Sequence, residues 1–135
     1  MGELTMLMAL GEAFVFSIDT LAYDELQRRA SWRHAMSPRV GARDASQFVG
    51  IGEETISLPG TVYDEIADGR VSIDELRAMA DKGEPWALVD GNGRVYGAFV
   101  ITTIDDRWSD FLPDGTPLKI GFTVNLLRVD AEARG

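Results

Sequence analysis

The chain has 135 residues, with 13 Lys plus Arg against 22 Asp plus Glu, a formal net charge of −9, one histidine and no cysteine. This length suits one hydrophobic core, so residues 1–135 read as a single domain. The missing cysteines exclude disulfides, thiolate metal sites, iron–sulfur clusters and a cysteine nucleophile, and the acidic balance opposes nucleic-acid binding as the main activity, because phosphate affinity comes from Lys and Arg.

Residues 1–10 are apolar, but they carry no basic segment and Glu3 and Glu12 flank them, so they do not read as a signal peptide. Nowhere does the chain approach the roughly 20 uninterrupted apolar residues of a membrane helix, and no membrane partner is expected. Phe14, Phe16 and Ile18 alternate with Val15 and Ser17, predicting a strand that Asp19 and Thr20 end. Residues 21–32 fit two patterns: Asp24 to Arg28 have helical composition, while Leu26, Arg28, Ala30 and Trp32 keep a two-residue period. Residues 37–44 predict an exposed loop, since Pro38 favours extended geometry before it and Gly41 weakens a helix.

Gln47, Phe48 and Val49 form a short strand candidate. Residues 55–58 with Val62 and Tyr63 form another, which Pro59 and Gly60 interrupt or bulge, and the proline suggests an edge. The clearest helix is 72–82: Ser72 and Glu75 match a capping box, Gly83 is a stop, and Ile73, Leu76, Met79 and Ala80 make one apolar stripe to pack on a sheet.

Residues 86–89 and 94–101 flank Asp90-Gly91-Asn92-Gly93, a hairpin signal read with a type I′ turn. A second hairpin runs from 101–104 through a tip at Pro113-Asp114-Gly115 to 118–129, where Leu118, Ile120, Phe122, Val124 and Leu126 face one way. Six or seven antiparallel strands and one good helix give an α+β domain, expected as an antiparallel β-barrel or sandwich with one lateral helix.

Chemistry-bearing patterns are sparse. The lone His34 permits no His–His metal pair, and no serine sits in a Gly-x-Ser-x-Gly elbow for it to activate. Four acidic pairs, Glu53-Glu54, Asp64-Glu65, Asp74-Glu75 and Asp105-Asp106, could act as glycosidase carboxylates, but a solvated acidic surface accounts for them. Asp90-Gly91-Asn92-Gly93 begins like a calcium loop, yet Arg94 stands at a ligand position and Ile101 at the twelfth. Its glycines also miss a dinucleotide fingerprint. Trp32, Trp86, Trp108 and the phenylalanines are expected mostly in the core rather than on a stacking platform. No catalytic, cofactor or metal site emerges. Elimination favours a binding or assembly module over an enzyme, with a small carboxylate-based hydrolase or a ligand-binding barrel as alternatives.

The segment Ser37-Pro38-Arg39-Val40-Gly41-Ala42-Arg43, continued by residues 47–60 (QFVGIGEETISLPG), resembles tail protein U, the GpU-like family of contractile-tailed phages and tailocins. Further likenesses are Met8 to Gly11, Phe14 to Phe16, Tyr23, Leu26 to Arg28, Trp32-Arg33, Leu76 to Ala80 and Gly93 to Gly97. Family members often have Pro after the second arginine, where this chain has Asp44. The resemblance implies a structural virion protein, similar in fold to tail-tube subunits, made in the bacterial host cytoplasm and placed in the tail. It further implies a six-fold homo-oligomeric ring coaxial with the tube, joining the baseplate hub protein to the tail tube protein as initiator or adaptor; the alternative is a terminator at the head-proximal end. No sequence-specific nucleic-acid contact is implied, although DNA can pass through the lumen. By the same resemblance Arg28, Trp32, Arg39, Gly41, Arg43, Gln47, Phe48 and Gly60 are subunit-interface or family-motif positions. Arg39 and Arg43, four apart in a loop of an acidic protein, either meet carboxylates of the adjacent subunit or stand in solvent.

Overall fold

The computed structural model describes residues 7–17, 20–64 and 67–130. Seven strands, β1 (Met8–Leu10), β2 (Phe14–Phe16), β3 (Gln27–Ser37), β4 (Ala45–Tyr63), β5 (Trp86–Asp90), β6 (Val95–Phe111) and β7 (Pro117–Val129), accompany one helix, α1 (Gly69–Lys82). The strands make one sheet in the order β2-β1-β5-β6-β7-β4-β3, and every neighbouring pair is antiparallel. The α+β class with a lateral helix therefore stands, with one correction. The sheet is open, ending at β2 and β3, and it neither closes into a barrel nor pairs with a second sheet among the described residues.

One face of the sheet carries the core. Ile56, Leu58 and Val62 of β4 and Ile120, Phe122, Val124 and Leu126 of β7 recur at two-residue spacing and are buried, as the pleat requires. Met8, Leu10, Phe14, Phe16, Leu88 and Phe99 continue that face across the other strands. Helix α1 lays Ile73, Leu76 and Met79 on it. Burying each such side chain is worth about 1.5–3 kcal/mol, so this face dominates stability. The helix starts three residues before the expected position. Asp68 is its N-cap, accepting the Val71 N–H at 3.4 Å, and the expected cap Ser72 is buried inside the first turn. Gly83 does end it, in the left-handed region at φ 65° with its N–H donating to Ala80.

Three segments differ from their sequence reading. The apolar start contributes strand β1, which carries no alternation long enough to announce it. Ile18 and Asp19 lie outside the described residues; β2 stops at Phe16, and Thr20 closes the turn after it, its hydroxyl donating to the Val15 carbonyl at 2.6 Å. The ambiguous stretch 21–32 becomes strand from Gln27 onward. Finally, the two strands expected around 47–63 are one 19-residue strand. Pro59 lies beyond the end of β3, whose pairing stops at Gln27 with Ser57, so its missing N–H faces an edge where only its carbonyl is used, by the Asp24 N–H at 2.8 Å.

The first hairpin turn is not type I′. Gly93 alone of its glycines has positive φ, 88°, and its N–H donates to the Asp90 carbonyl, the pattern of a turn closed by one left-handed glycine. Gly60 is held for a different reason, close approach. A Cβ there would stand 2.6 Å from the Ala22 carbonyl oxygen, 2.6 Å from Phe122 Cζ and 2.8 Å from Tyr23 Cα, where the 21–24 segment crosses the sheet. Gly60→Ala is expected to destabilise the fold by about 1–3 kcal/mol, read as a lowered urea midpoint with an unchanged slope.

Candidate assembly surfaces

Two hairpins leave the core in opposite directions. β4 pairs with β7 only from Thr55 to Tyr63, so its first half continues with β3 as an arm that nothing covers. Every residue of β3 is exposed. At the other end of the sheet, β6 and β7 meet at their turn, residues 112–116, beside the start of the helix, where Gly69 and Arg70 line one cleft with Pro117 and Lys119.

The arm carries most of the family-motif positions. Two register shifts in its pairing, between Ala30 and Trp32 and between Arg33 and His34, each add a residue on β4. The result sets Trp32 opposite Ile51 and His34 opposite Phe48, and directly opposed residues share a face. One face of the arm thus presents Trp32, Ile51, Phe48 and Met36, which are 61%, 73%, 58% and 58% exposed. Such a contiguous apolar stripe on a free hairpin marks a contact surface. Gln47 lies on the opposite face, across from Ala35.

At the arm tip, the Arg39 Nε–H donates to the Arg43 carbonyl at 2.9 Å, Gly41 takes φ 73°, and Val40 is fully exposed. The 37–44 segment is the exposed loop that its sequence predicts. Arg28 stands instead at the arm base, opposite Ile56. There the Arg128 Nη1 donates to Glu54 Oε1 at 3.0 Å, and Arg28 Nε lies 3.8 Å from Glu54 Oε2. The guanidiniums of Arg28 and Arg94 sit 5.6 and 5.0 Å from the Tyr96 ring centre. The structure therefore gathers Trp32, Arg39, Gly41, Arg43, Gln47 and Phe48 on one hairpin, puts Arg28 at its root, and leaves Gly60 in the core-side crossing.

The second hairpin is the surface that sequence reading missed. Trp108, Phe111 and Leu112 are exposed there among Asp105, Asp110 and Asp114. Of the nine Trp and Phe residues, Trp32, Phe48, Trp108 and Phe111 are exposed and all four lie on the two hairpins, so only a bare majority is core. A different surface faces away from α1. Across β6, β7 and β4, Thr103, Asn125 and Ser57 form one row and Asp105, Thr123 and Pro59 the next, above a groove of 590 Å³. Asn125 Nδ2 donates to Thr103 Oγ1 at 2.6 Å. The first row is hydroxyl and amide, whereas the groove itself is lined by Asp24, Asp105, Asp106 and Arg107 beside Thr61 and Thr123.

His34 Nδ1 is 3.2 Å from Ser46 Oγ, but both stand exposed on the arm, the imidazole edge-on to Phe48 at 5.4 Å, with no enclosing cavity. Of the acidic pairs, Glu65 lies outside the described residues, Asp74 and Glu75 are exposed on α1, and Glu54 faces arginines. Among the described residues no cluster of three metal-ligating side chains occurs, and no helix is long and apolar enough to cross a membrane. An open sheet encloses no barrel interior.

An open antiparallel sheet with one helix is a fold shared with chains of two solved particles. A chain from the tail of an empty gene transfer agent particle, refined with C6 symmetry, superposes with TM-score 0.56 at 18% identity over 100% of this chain and 98% of its own. A chain of the native gene transfer agent virion gives TM-score 0.59 at 15% identity, covering 98% and 97%. The family profile described as Phage P2 GpU matches residues 12–131, and the chain belongs to that family of phage tail proteins. A "Probable tape measure protein" of Halomonas phage phiHAP-1 is 36% identical over 126 residues, 93% of this chain; the match spans 14% of that relative's length.

Asp90 closes the first hairpin turn through its side chain. Its Oδ1 accepts the Asn92 and Arg94 N–H groups at 2.9 and 3.0 Å and its Oδ2 accepts the Tyr96 hydroxyl at 3.1 Å, so the calcium-like start is an internally satisfied turn. The Arg94 N–H above all holds the carboxyl below its ordinary value of 3.8. A lowered folded-state value means stability that is present above the unfolded value and lost as pH falls through the folded one. The gap in urea midpoint between the native chain and Asp90→Asn is therefore expected to be widest near neutral pH and to shrink as pH falls below 3.8. Added calcium is expected to leave both midpoints unchanged.

Proposed function

We propose that this chain forms a six-fold ring coaxial with the tail tube and joins the tube to the baseplate hub, as tube initiator or adaptor. The observation that carries the reading is the open sheet. Its free edges and bare hairpins need partners, and a rotation that closes a ring of copies removes such edges without limitless growth. The C6 symmetry of the gene transfer agent tail, whose chain has this fold, supports six copies. The domain's counterpart within a much longer tape measure relative supports a position where the tape measure protein is held, and adds that protein to tube and hub as a partner.

The surface across β6, β7 and β4 that faces away from α1 is assigned to the lumen. A charge of −9 per copy, multiplied around a ring, keeps DNA phosphates from adhering during passage. The role is structural, not enzymatic. Cryo-electron microscopy of the parent particle tests it: a six-fold ring of this chain against the hub is the expected image. A ring at the head-proximal end makes it a terminator, and its absence from the particle overturns the reading.

The arm tip makes a solution prediction. Arg39→Ala with Arg43→Ala removes two exposed guanidiniums and one loop hydrogen bond. The monomer's stability is expected to change by less than about 0.5 kcal/mol. Ring assembly, followed by native mass spectrometry, is expected to weaken at least tenfold.

A further inference from the structure

Charge on the two hairpins is segregated against the sign of the whole chain. Residues 27–54, the arm with the half of β4 that β7 leaves free, hold five of the 13 basic side chains, all arginine, against three carboxylates: Asp44 at the tip, and Glu53 and Glu54 at the base, where Glu54 is already paired with Arg28 and Arg128. Residues 102–118, the β6–β7 hairpin, hold four aspartates and a single base, Arg107. Each also exposes a large apolar set, Trp32, Phe48 and Ile51 on one and Trp108, Phe111 and Leu112 on the other. The hairpins project from opposite ends of the sheet, because β4 passes the Leu127 end of β7 to enter the arm, whereas the β6–β7 turn lies past the Lys119 end, where β4 stops. They cannot meet within one copy.

We infer that the arginine arm of one copy docks on the aspartate-rich β6–β7 hairpin of a second copy, a head-to-tail contact that builds the ring. The inference rests on the ring reading and names its surfaces. Two unlike patches on one chain make a heterologous contact, the kind that closes when its rotation divides the circle. A two-fold contact of arm on arm would bring like charges together, and so would hairpin on hairpin. Arginine suits the site because a guanidinium can hold a carboxylate in two hydrogen bonds while lying on an aromatic face. At the arm base Arg28 already pairs with Glu54 and lies over Tyr96. Asp114 accepts the Thr116 N–H at 2.9 Å, which keeps its carboxylate ionised at the hairpin tip.

The absence of cysteine makes the test direct. Val40→Cys and Leu112→Cys are made in separate full-length chains, both at exposed tip positions, and unchanged melting confirms that each folds. Oxidation of the mixture is expected to give the mixed 40–112 dimer at several times the yield of either homodimer. A chain bearing both substitutions is expected to give a ladder ending at six. Raising salt from about 0.05 to about 0.5 M is expected to cut the mixed dimer several-fold, as is adding Asp110→Asn and Asp114→Asn, which keep the turn chemistry and remove the charge. Homodimers in excess, or no cross-link while native mass spectrometry of the unsubstituted chain shows hexamers, overturn this contact and leave the ring standing. Monomers at every concentration overturn the ring and the contact together.

Discussion

A 14-residue helix is about 21 Å long and about 10 Å wide with its side chains, so it covers roughly two strands of a sheet whose neighbours are about 4.8 Å apart. The sheet here has seven strands, and a 19-residue strand such as β4 reaches about 63 Å. That mismatch between cover and sheet governs the molecule. The core lies under α1 and the 21–24 crossing on β1, β2, β5, β6, β7 and the second half of β4, and it stops short of β3 and of the first half of β4. Beyond it the strands still pair through their backbones but bury nothing, which is why all of β3 is exposed. The uncovered parts are ordered surfaces awaiting another protein.

Where the sequence was legible, one face of an element meets the core and the other meets water. The α1 stripe and the alternation of β7 follow directly, since Ile73, Leu76 and Met79 or Ile120, Phe122, Val124 and Leu126 had one environment each. The arm obeys no such rule. Bulges on β4 place Phe48 and Ile51, three residues apart, on one face, so the two-residue period of a strand does not mark them. Pro59 and Gly60 punctuate the sequence as a break, yet in the fold they serve an edge and a close crossing inside one strand. Ser72 imitates a cap because the actual one, Asp68, lacks the partnering glutamate of a capping box. Resemblance located the arm's residues but not their common face, and the β6–β7 hairpin went unread because Trp108, Phe111 and Leu112 look in sequence like ordinary core aromatics and aliphatics, although in the fold all three are exposed.

An exposed apolar hairpin with a free edge is an aggregation hazard, and the chain answers it in three ways. Bulges twist the arm, arginines line β3, and a net charge of −9 keeps copies apart at long range. Repulsion of this kind is screened beyond about 8 Å at physiological salt, whereas a guanidinium touching a carboxylate acts at contact distance. Copies that approach in the wrong orientation therefore meet net repulsion with no compensating pair. The orientation that brings arm to β6–β7 hairpin sets arginine against aspartate and covers Trp32 and Trp108 together. Specificity in such a contact comes from sign reversal between the local and the global charge. In the proposed ring, an acidic excess that would keep DNA phosphates from adhering would also make the arginine arm selective, because Arg33, Arg39 and Arg43 stand on a projecting hairpin of an otherwise acidic chain.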